Sequence, residues 1–238
     1  RTRKSLFLVI IDKSLMFGYD RLKKRNQYIK WINMEQKLLA DFSLCAQTLG
    51  ALFSYNPSDA RVNKLIHLFS SSEWQSEWPF NNIYDCQRID KRFQDSLNEQ
   101  ETLQEAYQRL FIGPDALPVP PWGSVYLDKE NNVFGISTLE LRAWLRNNQI
   151  NIELNQNEPE DHIGLLLLLT AWVVENKPEL LRGLLEMHLL PWAYRYLEKM
   201  QLQSGHAFYE ATALLANETL KYIQQAIQLN PINKEIYL

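Results

Sequence analysis

From Met34 onward, apolar residues recur at three- and four-residue steps, the spacing of helices that bury one face. Leu38, Leu39, Phe42, Cys45, Ala46, Leu49, Leu52 and Phe53 follow it and predict a long first helix. Asn56-Pro57-Ser58 reads as its end and as the cap of a second helix, marked by Val62, Leu65, Ile66 and Phe69. Residues 70–82, with Trp74, Trp78 and Pro79, read as a connector, and further helices are predicted over 83–95 and 100–111. Residues 113–136 break the pattern, with four prolines (Pro114, Pro118, Pro120, Pro121) that no helix interior accommodates. Ser137 and Glu140 have the spacing of a capping box and predict a helix to about Asn147. The polar stretch Asn151–Asn157 reads as a hinge.

Glu158-Pro159-Glu160-Asp161 predicts a helix start, with proline at the first helical position and acids in the first turn. The twelve residues Ile163–Val174 that follow are almost wholly apolar. They are too few to span a bilayer and predict a central buried helix. Helices around 178–187, 190–201 and 206–229 complete the chain. Trp122–Leu127 comes nearest to a strand, but it sits among prolines. The expectation is an all-α fold: a single helical domain of about nine helices, two-lobed, with lobes 34–150 and 151–238.

Composition agrees with this. Only 8 glycines in 238 residues suit long helices better than a turn-rich sheet fold, and 46% hydrophobic residues with seven tryptophans can fill a core. Cys45 and Cys86 form neither a metal-ligand spacing nor a disulfide framework, which fits a reducing compartment. Charge divides the chain. Residues 1–33 carry a balance of +7 and the remainder −10. An acidic body argues against nucleic acid as partner and suits a basic one. In the basic stretch, the apolar run Leu6–Ile11 is too short for a signal-peptide core. Met34 is therefore expected to be the natural start, with 1–33 upstream translated sequence or a cloning addition.

No phosphate-binding glycine loop, nucleophile elbow or His-Glu-x-x-His spacing is present in the sequence, so no motif announces an enzyme. Two segments draw attention instead. One is Gln156–His162, where ionisable residues precede a buried helix at a candidate hinge. First-turn acids explain much of it structurally, and His162 would share a helical face with Leu165, Leu166, Leu169 and Trp172. Unpaired, such a cluster is costly to bury, and its carboxylates suit a guanidinium. The other is Tyr107–Asp128, a proline-stiffened, aromatic-rich stretch. An ordered loop of that length often carries function. Side by side, they would receive a peptide with arginines followed by an apolar run.

The segments Asp41-Phe42-Ser43 to Leu49-Gly50-Ala51-Leu52-Phe53, Arg109-Leu110-Phe111-Ile112-Gly113-Pro114, Pro120-Pro121-Trp122-Gly123-Ser124-Val125 and Asn157-Glu158-Pro159-Glu160-Asp161-His162 resemble the TorD/DmsD family, its DmsD branch above all. The resemblance runs from about Asp41 to about Ile223. It implies a cytoplasmic, all-helical chaperone without a cofactor. Such a chaperone binds the twin-arginine leader of a molybdopterin oxidoreductase catalytic subunit, of dimethyl sulfoxide reductase type, and delays export until the cofactor is inserted. Components of the twin-arginine translocase are implied as further partners. A monomer is expected, with lobe-exchanged oligomers open to the fold.

The implied peptide site comprises Tyr107, Leu110, Phe111, Asp115, Pro121, Trp122, Tyr126, Glu158, Pro159, Asp161 and His162. Asp115 stands where relatives can carry an aromatic residue, and Tyr107 and Tyr126 where they can carry tryptophan. Asp161→Ala and Trp122→Ala are expected to weaken leader binding and leave the fold intact. The alternatives are a helical metal-dependent enzyme using Glu158, Asp161 and His162, completed by His188 or His206, and a scaffold protein that binds no leader.

Overall fold

The computed structural model describes residues 19–80, 85–152 and 158–238, with side chains from Glu35 onward. The chain divides into two compact units, Arg1–Leu39 and Ala40–Leu238. The first helix, α1, spans Tyr19–Ser54, so helix is already present well before Met34.

Eleven α-helical segments and no strand occur among the described residues. The all-helical, single-domain expectation holds. In α1, the three-and-four spacing puts Phe42, Cys45, Ala46, Leu49, Leu52 and Phe53 inside. The next helix, α2 (Ala60–Ser70), is capped by Asp59, whose carboxylate accepts from the Arg61 amide, and not by Ser58. Asn56 binds the Ser58 amide and hydroxyl instead, a local turn that ends α1.

The expected connector contains a short helix, α3 (Trp74–Glu77). Both Trp74 and Trp78 are core residues there. They join Phe69 and Phe93 in an aromatic cluster, with Phe69 and Phe93 ring centroids 4.9 Å apart. The helix α4 (Cys86–Asp95) contributes Phe93, and α11 (Ala207–Ala226) closes the cluster with Phe208. α11 packs on both α4 and α10 (Leu190–Gln203) and, with twelve buried residues, is the spine of the unit.

The apolar run forms α8 (Ile163–Asn176), buried along most of its length. Trp172 faces out at 41% exposure, so it does not share a buried face with His162. α8 crosses α1 through a glycine pair. A Cβ on Gly50 would lie 2.8 Å from the Gly164 carbonyl oxygen, and one on Gly164 would lie 2.1 Å from Ser54 Oγ. Only residues without a side chain allow this approach.

The rest builds the site. α5 (Leu103–Tyr107) opens on a capping box between Thr102 and Glu105 and runs into a π-helical turn, Gln108–Ile112. α6 (Gly123–Leu127) is a short helix in the region that read as nearest to a strand. α7 spans Ile136–Asn147, but Gly135 is its N-cap and no capping box forms. Ser137 Oγ donates to Asp128, and Glu140 pairs with Lys234. A second π turn, Leu185–Leu189, links α9 (Leu181–Leu184) to α10. The hinge expected at 151–157 falls mostly on 153–157, outside the described residues. No helix among the described residues is long and apolar enough to cross a membrane.

Candidate functional site

The two segments singled out in the sequence meet through their backbones. The Gly123 amide donates to the Asp161 carbonyl at 3.0 Å, and the Ile163 amide donates to the Pro121 carbonyl at 2.8 Å. Trp122 and His162 thus form an isolated antiparallel bridge. It satisfies polar groups of both loops at one point, as buried backbone requires. Gly123 also lets α6 close on α10, since a Cβ there would lie 2.7 Å from Trp192 Nε1.

Asp161 fixes the junction from below. Its side chain is 3% exposed. Oδ2 accepts from the Ser124 amide at 2.7 Å and from the Thr138 hydroxyl at 3.0 Å, tying α6 and α7 to the turn before α8. Burial pushes its pKa up, and these hydrogen bonds oppose the rise. Oδ1 is buried with no hydrogen-bond partner. The carboxylate is therefore an internal anchor in this conformation, and Asp161→Ala removes a structural link as well as a charge. The expectation of an intact fold in that variant is revised on this ground.

His162 holds the backbone at this point. It is the N-cap of α8, and Nδ1 accepts from the Gly164 amide at 3.1 Å. The helix therefore starts at Ile163, after the acids and not at Pro159. A buried capping imidazole must be neutral to accept, and burial lowers its pKa to about 3. Pro159 is buried, and its carbonyl accepts from the His162 amide, closing the turn.

Glu158 and Glu160 differ from Asp161. The Trp122 indole donates to Glu158 Oε1, fixing the half-buried ring beside the carboxylate. Burial raises the Glu158 pKa, the indole hydrogen bond opposes this, and the charge on Asp161 adds to the rise. Glu160 receives the Arg142 Nε at 2.8 Å on both oxygens. Neither Glu158 nor Asp161 has a cationic partner among the described residues, and of the two only Glu158 is part-exposed.

The aromatic half is largely filled from inside. Leu110 and Tyr126 are 0% exposed, and Tyr126 stacks on Trp192 at 5.5 Å. Packing of α6 against α10 turns Tyr126 inward, so neither of these two side chains reaches the surface. Tyr107 is buried with its hydroxyl donating to the Ser54 carbonyl, and Phe111 packs against it at 5.2 Å. Phe111 also lies 6.3 Å from the His162 ring. The π turn directs Leu110 and Phe111 inward together and leaves Ile112 58% exposed. Pro121 is buried under the bridge. Asp115 is exposed on the turn after Gly113, and no hydrogen bond among the described residues joins it to the cluster.

Trp122 and Glu158 thus stay part-exposed at the junction, and Ile112 is exposed on the π turn next to Phe111. Thr138 and Arg142, which hold Asp161 and Glu160, went unnoticed in the sequence. Nothing in their local pattern separates them from ordinary helix residues. No group of three or more His, Cys, Asp or Glu side chains among the described residues could hold a metal ion, so nothing favours the metal-dependent reading.

Fold and site together define a helical protein with a rigid, carboxylate-bearing loop junction. The family model described as nitrate reductase delta subunit matches residues 83–198. The chain is 42% identical over 196 residues to a probable Tat proofreading chaperone DmsD of Haemophilus influenzae, covering 82% of this chain and 96% of that protein. It is 46% identical over 181 residues to the Tat proofreading chaperone DmsD of Salmonella typhi, covering 76% and 87%. It is 30% identical over 146 residues to the chaperone protein TorD of Vibrio cholerae, covering 56% and 64%. The chain belongs to the TorD/DmsD family, and is a chaperone rather than an enzyme.

Proposed function

We propose that this chaperone acts in the cytoplasm. There it holds the twin-arginine leader of a molybdopterin oxidoreductase catalytic subunit, of dimethyl sulfoxide reductase type, until cofactor insertion and folding are complete. The proposed site is the junction of Tyr107–Tyr126 with Glu158–His162. The names of the DmsD relatives, Tat proofreading chaperones, support the ligand class. The observation that carries the site is the Trp122–Glu158 pair. A half-buried indole lies beside a carboxylate with no cationic partner among the described residues.

In this reading the mechanism is holding, not chemistry. Glu158 receives a leader guanidinium by charge-assisted hydrogen bonds, contributing about 1.5–3 kcal/mol when desolvated. Trp122 and Ile112 cover part of the apolar run that follows. Tyr107, Leu110, Phe111, Pro121, Tyr126, Pro159, Asp161 and His162 keep that surface preformed, which lowers the ordering cost on binding. Asp115 adds charge at the rim and speeds encounter with a basic peptide.

Calorimetry with a synthetic twin-arginine leader tests this. Micromolar to nanomolar affinity is expected, weakened about tenfold or more in both Trp122→Ala and Glu158→Gln. Unchanged affinity in both variants overturns the site. Pull-down from anaerobically grown cells should recover the catalytic subunit of one reductase.

A further inference from the structure

The segment Asn230–Leu238 carries no helix, yet it is fixed against the body along its length. The Asn230 amide donates to Glu186 Oε1 at 2.8 Å and the Ile232 amide to the Glu186 carbonyl at 3.0 Å. Lys234 Nζ lies 2.6 Å from Glu140 Oε2 on α7. The Tyr237 amide donates to the Tyr126 carbonyl of α6 at 2.9 Å. The attachment is mostly polar, since Ile236 and Tyr237 stay 36% and 40% exposed. A segment with few buried apolar contacts opens at low cost.

Beneath it lies a small polar chamber. Gly123, Leu127, Asp161, His188 and Lys234 line one small chamber of about 10 Å³. Two buried polar atoms without a hydrogen-bond partner belong to its lining residues, Asp161 Oδ1 and His188 Nε2. Native interiors seldom leave such groups unpaired. Lys234 lines the same chamber, next to the short helix that follows Trp122. The order along the segment, Lys234-Glu235-Ile236-Tyr237-Leu238, is a cation followed by mostly apolar residues. That is also the chemistry of a twin-arginine leader.

We infer that Asn230–Leu238 is a displaceable strap that occupies part of the leader's berth in the free chain, with Lys234 standing in for a leader's basic side chain. The inference rests on the leader-binding reading above and adds its regulation. A client must displace the strap before the α6 edge and the chamber become accessible. Apparent affinity is then lower than intrinsic affinity by the fraction of chains with the strap already released. Low-affinity peptides are thereby refused, and a released client is replaced by the strap.

The test uses the full chain. Lys234→Glu opposes Glu140, and Tyr237→Pro removes the amide that binds the Tyr126 carbonyl. Neither change touches the Trp122–Glu158 pair. Each variant is expected to bind a synthetic leader roughly tenfold tighter, the factor set by a strap docked in about 90% of chains. In the wild-type protein, hydrogen exchange should show the Ile232 and Tyr237 amides protected, and saturating leader should remove that protection. If both variants bind no tighter, or the two amides stay protected with leader bound, the strap is a structural seam and the inference falls. Trp122→Ala separates the two readings. Lost leader binding there with unchanged strap variants leaves the site standing and sinks the strap. Tighter binding in the strap variants with no effect of Trp122→Ala keeps the strap and sinks the proposed site. If no form of the chain binds leader, both fall.

Discussion

Glu158 and Asp161 stand three residues apart in one turn, yet the structure uses them in opposite ways. Asp161 is buried and accepts from the Ser124 amide and the Thr138 hydroxyl, so it holds α6, α7 and the turn before α8 together. Glu158 is half-buried and fixes only the Trp122 ring. Between them, Glu160 is neutralised by Arg142. A row of carboxylates in sequence is therefore one anchor, one internally paired charge and one part-exposed acceptor. Substitutions at the anchor report on stability first, and those at the part-exposed acceptor report on binding.

The largest expected effect comes from the anchor. Asp161→Ala should cost about 3 kcal/mol, because two donors lose a charged acceptor inside the protein. Urea denaturation measures it. A loss below about 1 kcal/mol would place Asp161 with Glu158 as a surface group and erase the contrast.

Next comes pH. His162 and His188 are both held neutral by burial, with pKa values near 3 and 4 against 6.5 when unfolded. Their contribution is present above 6.5 and is lost as pH falls toward the folded values. At pH 5.5 each should cost about 1.4 kcal/mol relative to pH 7. Asp161 runs the other way, since its raised pKa means that stability is lost as pH rises through the folded value. Comparing wild type with His162→Asn, which keeps an N-cap, isolates one histidine. The variant should show a flatter acid limb in urea melts, and an equal slope would refute the buried neutral imidazole.

At Glu158, Glu158→Gln should leave stability within about 0.5 kcal/mol, because the amide oxygen can still accept from Trp122. Leader affinity should fall about tenfold. A variant that loses stability instead would make Glu158 a second anchor. The smallest effect is expected from Glu160→Gln, about 0.5 kcal/mol, as befits a partly exposed ion pair. Its thermal midpoint should become less sensitive to salt than that of the wild type.

Much of this was legible in the residues. The spacing of Phe42 through Phe53 and the apolar run Ile163–Val174 predicted buried helices, because helical period and burial are local properties of a pattern. The prolines of 113–136 correctly marked a break. The helix starts misled where side chains had competing partners. Ser137 and Glu140 have capping-box spacing, but Asp128 and Lys234 take their polar atoms. Pro159 and its acids look like a first turn, yet the bridge at Trp122–His162 fixes that backbone and delays the helix to Ile163. Trp74 and Trp78 looked like connector residues because four-residue helices have too few turns to show a period.

The helical class, most core faces, the division of charge and the family follow from the chain's local pattern. Each of these is written in residue type and short-range spacing. Only the closed fold decided which carboxylate is buried, which aromatics turn inward, and where Asn230–Leu238 lies. Those outcomes depend on partners such as Thr138 for Asp161 and Trp192 for Tyr126, 23 and 66 positions away. No local pattern encodes such pairings. Burial and hydrogen bonding select among them only when the whole unit closes.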